Sequence, residues 1–406
     1  MLTLTTFVRL ATLVAVAAAA PSNFTRTETA KRSTCTVNSV SSASNLKSCS
    51  NVVIEGFTVP SGSTLNIEAA SGATVTMTGD IVFAKTSCES CSEISYRMGD
   101  DACQPLVLSS HSTPTISIST AETIILMQGN GAAYWDGKGT NGGSTKPHPF
   151  VKFKGSGTFS FVTVLNSPAQ AISVGTTGAS IIERVTVDNC AHTPDQAVCV
   201  ETDGRYAAAG ASLGHNTDGF DVSASDLTIS QCTVINQDDC VAVNKGDNIL
   251  VEDTTCTGSH GISIGSIASG HSVTNFKAAR NKITGGLYGL RIKVDKSAKN
   301  AKVSGVTYEA NTISGISDYG VLITQSYPAN DGSPGSGGPI SDVAFIGGTT
   351  TVAVDSSAMS VVVDCGACSG NWDFSGLDVT SGGKGHSISA NNAHVTLVRP
   401  PTLPKW

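Results

Sequence analysis

The chain has little charge and few aromatic residues, 14% and 5% of its 406 positions. Cations are the scarcer sign: 25 Lys+Arg against 32 Asp+Glu give a formal net charge of −7, so the broad basic surface that nucleic acid needs is missing. No apolar run is long enough to cross a membrane, and Leu10 to Ala20 falls well short of a span. Apolar residues at helical spacing are also missing from the body of the chain, which excludes helical bundles and alternating α/β folds. What is abundant is glycine, 42 residues, in a background of Ser, Thr, Val and Ile. That composition suits stacked strands joined by tight turns.

Leu10 to Ala20 follows Arg9 and ends in alanines, the pattern of a secretory signal over residues 1–20. Residues 21–32 read as a propeptide closed by the dibasic pair Lys31-Arg32, which leaves one domain over 33–406. Without the leader, 21 Lys+Arg face 31 Asp+Glu, a net charge of about −10. The expectation is a secreted, extracellular monomer with no nucleic-acid or membrane partner. Asn23-Phe24-Thr25, the one Asn-x-Ser/Thr sequon, would be lost with the propeptide.

Short runs in which a small residue or cysteine precedes alternating apolar positions recur along the chain. They are Ala171-Ile172-Ser173-Val174, Gly219-Phe220-Asp221-Val222, Cys240-Val241-Ala242-Val243, Gly261-Ile262-Ser263-Ile264, Gly289-Leu290-Arg291-Ile292 and Gly320-Val321-Leu322-Ile323. Their starts are 48, 21, 21, 28 and 31 residues apart, the first interval reading as two coils. A second series follows them, with Leu227-Thr228-Ile229, Ile249-Leu250-Val251, Val273 to Phe276 and Val303 to Val306. Period-2 alternation means strand, and strands recurring without helical spacers describe an all-β parallel solenoid in which each coil pairs with its neighbours. The open first coil needs cover, and Ser39 to Lys47 is expected to form a short N-terminal helical cap.

The residues immediately before the templates fall in one column: Gln170, Asp218, Asp239, His260, Tyr288 and Tyr319. With coils ~4.8 Å apart, Asp218, Asp239 and His260 stack along the axis and Asp238 sits beside them. Carboxylates this close cannot all ionise comfortably, so at least one pKa should rise. A protonated carboxyl beside ionised ones is the acid and base pair that hydrolyses a glycosidic bond. With Ile292 inward, parity turns Arg291 and Lys293 outward, where they could grip a substrate carboxylate, Arg as a fork and Lys as a point charge. Each block alone is weaker: Asp-Gly and Asn-Thr-Asp are common turn chemistry, Asp238-Asp239 could serve calcium, and a lone histidine usually satisfies a turn. Four blocks at one phase of one repeat are a stronger signal.

Twelve cysteines in an exported chain read as disulfides rather than a metal cage. Cys35 with Cys49, Cys240 with Cys256 and Cys365 with Cys368 are local pairs. Cys88, Cys91, Cys103, Cys190, Cys199 and Cys232 leave the connectivity open, with Cys190 to Cys199, and Cys103 to Cys88 or Cys91, as the local choices. Trp135 is read as structural. The turn-rich stretch from Ala191 to His215 leads into the first acidic block and is expected to wall the site.

Trp135-Asp136-Gly137-Lys138-Gly139, Asn216-Thr217-Asp218, Gln237-Asp238-Asp239-Cys240, His260-Gly261 and Arg291-Ile292-Lys293 together resemble the polygalacturonases of glycoside hydrolase family 28. Within that family the secreted fungal endopolygalacturonases are most similar, over Cys35 to about Asp378. The resemblance implies a right-handed parallel β-helix that hydrolyses α-1,4-galacturonosyl linkages of de-esterified pectin at internal positions, with inversion and without cofactor or metal. By the same resemblance Asp238 is the general acid, Asp218 and Asp239 activate the water, and His260 tunes the acid. Asn216, Arg291, Lys293 and Tyr327 become the substrate contacts. Ser259 stands where the family usually has glycine, and Gly219 where many members carry alanine. The Cys88 to Cys103 and Ala191 to His215 segments look longer than in compact members, which keeps exo action open. Rhamnogalacturonan hydrolysis and a non-catalytic wall-binding solenoid are the further alternatives, and a calcium-dependent pectate lyase is the rival that would leave unsaturated products.

Overall fold

The computed structural model describes residues 33–86, 106–110, 115–120, 125–190, 214–381, 383–390 and 394–396. The expected signal, propeptide and sequon, Cys88, Cys91, Cys103 and Cys199, almost all of the Ala191 to His215 stretch, and the tail from Pro400 lie outside them. Among the described residues no helix is long and apolar enough to cross a membrane.

One coil shows how the chain is built. Phe220–Ser223, Leu227–Ser230 and Thr233–Ile235 are three strands on three faces, after which the chain returns to the first face at Val241. Repeating that path produces a right-handed parallel β-helix, in which the strands of the described residues pair in parallel. On the first face Ile172, Phe220, Val241, Ile262, Leu290, Val321 and Val361 lie in register. All point inward and are buried. Two residues on, Val222, Val243, Ile264, Ile292 and Ile323 form a second inward row, so the parity read from the sequence holds.

The third face has no counterpart in the sequence reading. In the coils that carry the acidic blocks its strands Thr233–Ile235, Thr255–Thr257 and Lys282–Thr284 are three residues long and place one buried residue each, Val234, Cys256 and Ile283. A single inward residue leaves no alternation to read.

The corner before that face is turned by one left-handed residue per coil: Arg184, Gln231, Asp253, Arg280 and Ala310 have φ between 50° and 55°. Inside the corner a buried polar ladder satisfies the backbone that the turn frees. Thr254 N donates to Asn281 Oδ1 at 3.0 Å, Asn281 N to Asn311 Oδ1 at 3.0 Å, and Asn311 N to Thr350 Oγ1 at 3.2 Å. Unpaired buried amides would be costly, so these side chains fix where each coil bends.

The expected disulfides Cys35 to Cys49, Cys240 to Cys256 and Cys365 to Cys368 are all formed. Cys190 is disulfide-bonded as well, and Cys232 is a free, buried thiol. The N-terminal cap is two 3-10 turns, Ser41–Ala43 and Leu46–Ser48, rather than an α-helix. Serine side chains there take the local hydrogen bonds, as with Ser42 Oγ accepting from the Asn38 and Ser39 amides, which favours turns over helix. Leu46 is buried and Cys49 ties the cap to the first strand, so the end of the core is covered.

Candidate active site

The column predicted before the first-face strands is present. The register that pairs Ile172, Phe220, Val241, Ile262 and Leu290 puts Gln170, Asp218, Asp239, His260 and Tyr288 one above another, and Tyr288 pairs directly with Tyr319. Backbone bonds hold the column tightly, Gly219 N to Asp239 O at 2.9 Å and Cys240 N to Gly261 O at 2.9 Å. Cys240 follows Asp239 directly, so its disulfide to Cys256 pins this turn from inside the core. Gly261 has φ +74, and a side chain there would collide with the Gly289 carbonyl. Ser259, the departure from the usual glycine, is buried and uses its Oγ to accept from Gly261 N at 3.0 Å.

Asp239 is fully buried and held by three donors. Arg291 Nη2 lies 2.6 Å from Oδ1, Lys293 Nζ 2.6 Å from Oδ2, and Ser263 Oγ donates to Oδ1 at 2.8 Å. Arg291 Nε in turn reaches Ser263 Oγ at 3.2 Å. Arg291 and Lys293 face outward, as parity requires, yet both are buried because they fold down onto Asp239. Lys293 Nζ also sits 5.5 Å from the ring centre of Tyr327.

Asp238 meets different partners. His260 Nδ1 is 3.1 Å from its Oδ1, Asp239 N donates to the same oxygen at 2.8 Å, and Asn216 Nδ2 donates to Oδ2 at 3.3 Å. Asn216 is oriented from the far side. Its Oδ1 accepts from Thr140 N and Oγ1, both at 3.2 Å, and from Asn141 Nδ2 at 3.1 Å. The loop that supplies them follows Trp135-Asp136-Gly137, and it is anchored by Trp135 Nε1 donating to Ser167 O at 3.1 Å and by Lys146 Nζ at 2.7 Å from Asp136. Trp135 therefore has the structural role expected of it.

Asp218 lies on the same column, buried, and its Oδ1 has no hydrogen-bond partner. Burial, with Asp238, Asp221 and Asp239 close by, raises its pKa well above the usual carboxylate range. Asp221 is raised to about 7 by burial and by Asp239 and Asp238, against Lys293 and a hydrogen bond from Asn244. Burial opposes ionisation of Asp238 too. There, however, the charge and hydrogen bond of His260, with Lys293 and Arg291 beyond, win and hold the carboxyl well below the usual range.

Asp238, Asp239 and His260 offer ligand atoms within 4.8 Å of one another, a grouping with metal-ligand chemistry. The donor set is nonetheless committed elsewhere: both oxygens of Asp239 already face cations at 2.6 Å, and a divalent ion beside Arg291 and Lys293 would be repelled.

The glycosyl hydrolases family 28 model matches residues 49–398. The chain belongs to glycosyl hydrolases family 28. Endopolygalacturonase A of Aspergillus niger is 39% identical over 387 residues, covering 92% of this chain and 93% of that protein. An endo-polygalacturonase of Sclerotinia sclerotiorum is 40% identical over 343 residues, 82% of this chain and 80% of its own. Among solved structures, endopolygalacturonase I from Stereum purpureum complexed with two galacturonates superposes with a TM-score of 0.78 at 50% identity, covering 89% of this chain and 98% of that one.

In this family 28 chain every singled-out site residue lies in one neighbourhood: Asp218, Asp238, Asp239 and His260 on the column, Asn216 on Asp238, and Arg291, Lys293 and Tyr327 around Asp239. Four participants, Ser263, Asp221, Thr140 and Asn141, were given no role in the sequence reading. Ser263 and Asp221 share the outward row of Arg291, and parity alone could have found them. The Thr140 and Asn141 contacts join the site across 75 residues or more, which no local pattern encodes.

Proposed function

We propose that this glycoside hydrolase is an endopolygalacturonase, cutting internal α-1,4-galacturonosyl linkages of de-esterified pectin with inversion, and that Asp238 is its general acid. The observation that carries the reading is the joining of a carboxylate column to two fixed cations at one spot, in a chain half identical to an enzyme solved with galacturonate. A galacturonan presents one carboxylate per sugar, and Arg291, Lys293 and Tyr327 provide charge and a ring for it.

In this reading Asp238 protonates the glycosidic oxygen as the bond to the anomeric carbon breaks, and water attacks that carbon from the opposite face. Asp239 is a poor base because both its oxygens are bound to cations. Asp218 is the better one: its Oδ1 is unpartnered, and its environment favours holding a proton. Asp239, held in place by the two cations, then acts by orienting the water. In the free protein the surroundings of Asp218 favour the protonated form more than those of Asp238 do, and the reactive form needs the proton on Asp238. Asp238 is kept ionised first by His260 and then by Lys293 and Arg291, and substrate carboxylates arriving beside the two cations offset their share of that field, which shifts the proton toward the acid. His260, bonded to Asp238, sets how strongly that carboxyl holds it. Asn216 fixes the acid's second oxygen and, in this reading, also meets the sugar.

The substrate lies outside cells, and the bonded cysteines suit an oxidising compartment, so secretion after removal of residues 1–20 and cleavage behind Lys31-Arg32 belong to the same proposal.

Incubation with de-esterified polygalacturonate plus chelator, following viscosity, reducing ends and ultraviolet absorbance together, tests the reading. Viscosity should collapse early with few reducing ends and no unsaturated product. Reducing ends that accumulate while viscosity holds would indicate exo action instead. Asp238→Asn should lower kcat by at least about 1,000-fold while leaving the melting curve cooperative; substantial residual turnover would remove Asp238 from the acid role.

A further inference from the structure

One residue of the column is neither a carboxylate nor a histidine and yet touches both halves of the site. Tyr288 follows His260 by one coil, and the two rings meet edge to face, 5.5 Å between centres at 88°. On its other side Tyr319 stacks on it at 6.0 Å and 10°. Three residues along the same strand, the Arg291 guanidinium lies over the Tyr288 ring, 4.2 Å from its centre. The same guanidinium holds Asp239 at 2.6 Å. His260 holds Asp238 at 3.1 Å. One ring therefore backs a partner of Asp239 and a partner of Asp238.

The ring is itself fixed. Its hydroxyl accepts from Asn330 Nδ2 at 3.1 Å, and it shares a hydrogen bond with Asp318. Tyr288 also lies outside the solenoid core, in a small outer cluster with Leu322 and Val362. A tyrosine that only filled space would not need its face covered by a buried guanidinium, its edge against the site histidine and its hydroxyl tied at the rim.

We propose that Tyr288 is a positioning residue for hydrolysis, a rigid aromatic wall that sets the Arg291 guanidinium against Asp239 and the His260 ring against Asp238. The inference rests on the reading of Asp238, Asp239 and Arg291 given above. A guanidinium that loses its ring face can tilt away from the carboxylate, and angles matter here because its fork meets Asp239 through Nη2 and Ser263 through Nε. The effect belongs in kcat, since misplacement by a fraction of an ångström penalises the reacting geometry more than binding of a long polyanion.

The test compares Tyr288→Phe, Tyr288→Leu and Tyr288→Met in full kinetics on polygalacturonate, with thermal unfolding of each. Phenylalanine keeps the ring and loses only the rim hydrogen bonds, so kcat should stay within about fivefold of the parent. Leucine and methionine fill the outer cluster without a π face, and kcat should fall roughly 30-fold with KM changed less than about threefold. Two ringless variants guard against one failing to fold. In an Arg291→Lys background, the further loss from Tyr288→Leu should shrink by at least about threefold, the signature of two residues acting through one contact. A folded Tyr288→Leu with parental kcat, a change confined to KM, or an undiminished loss in the Arg291→Lys background would each overturn the inference. Asp238→Asn run alongside separates the two layers: if it stays active the reading of the site has failed, whereas an inactive Asp238→Asn beside a fully active Tyr288→Leu removes only the role of Tyr288.

Discussion

Asp218 and Asp239 sit in adjacent coils and both belong to the proposed water-activating pair, yet replacing each by asparagine should move stability in opposite directions. Asp218 is buried, has an oxygen with no donor, and stands near three other carboxylates. An amide is neutral without having to take up a proton, so it removes the cost of keeping this site protonated and should stabilise the fold by about 1–3 kcal/mol at pH 7. Asp239 carries two cations at 2.6 Å and a hydroxyl at 2.8 Å. An amide there leaves buried cations facing a neutral group, a loss of about 3–5 kcal/mol. With about 2.1 cal/mol/K of unfolding entropy per residue over residues 33–406, each kcal/mol moves Tm by about 1.3 °C. Asp218→Asn should then melt roughly 1–4 °C above the parent and Asp239→Asn about 4–6 °C below it, with both inactive. The pH dependence fixes the cause. The folded pKa of Asp218 is raised, so its favourable contribution is complete below the unfolded carboxylate value of about 3.9 and is lost as pH climbs through the folded value. The advantage of Asn at position 218 must therefore be small at pH 4 and grow toward pH 7. Calorimetry at both pH values decides it: an Asp218→Asn protein that melts below the parent at pH 7, or an offset that is the same at pH 4 and pH 7, refutes the reasoning.

Asp221, raised to about 7, obeys the same sign; Asp221→Asn should flatten the decline in stability between about pH 4 and pH 7, visible in the same calorimetric series. Lys293→Ala strips Asp239 Oδ2 of its cation and should lower stability by about 3–5 kcal/mol while raising KM, checked by denaturant titration and saturation kinetics. Asn281→Ala breaks the corner ladder at Thr254 N and Val251 O, far from the chemistry. It should destabilise by about 1–3 kcal/mol for each group left unpaired with kcat unchanged, and a large fall in kcat would show the ladder to be coupled to the site.

How much of this was legible follows from which residues repeat. The first face could be read because each coil spends two inward apolar residues on it behind a small residue, as in Gly261-Ile262-Ser263-Ile264, and the column before it came with the same register. The third face could not, because Thr255–Thr257 and its neighbours show one inward residue each. Outwardness was also read correctly for Arg291 and Lys293, but not their burial: parity says which face a side chain leaves from, and only the position of Asp239 two coils back says that the cations turn down onto it. Asn216 shows the opposite limit. Its block was visible, while its contact with Asp238 depends on Thr140 and Asn141, brought in by a loop from an earlier coil.

The crowding of carboxylates that raised a difficulty for the sequence reading is resolved by their partners rather than by distance. Asp239 takes two cations, so that trio is locally positive and fixed. Asp218, Asp221 and Asp238 remain, and only one of them lies against His260. That one ionises most readily, and the surroundings of the other two favour the protonated form. The free site therefore favours holding its proton away from the proposed acid. A neutral sugar would leave that distribution untouched, because nothing in it competes for Lys293 or Arg291. A galacturonate does compete, and in doing so it weakens the field that keeps Asp238 ionised. Specificity for an acidic polymer and readiness of the acid thus draw on the same two cations, which is a physical reason for a cleavage site to spend its few buried positive charges beside its carboxylates instead of along its rim.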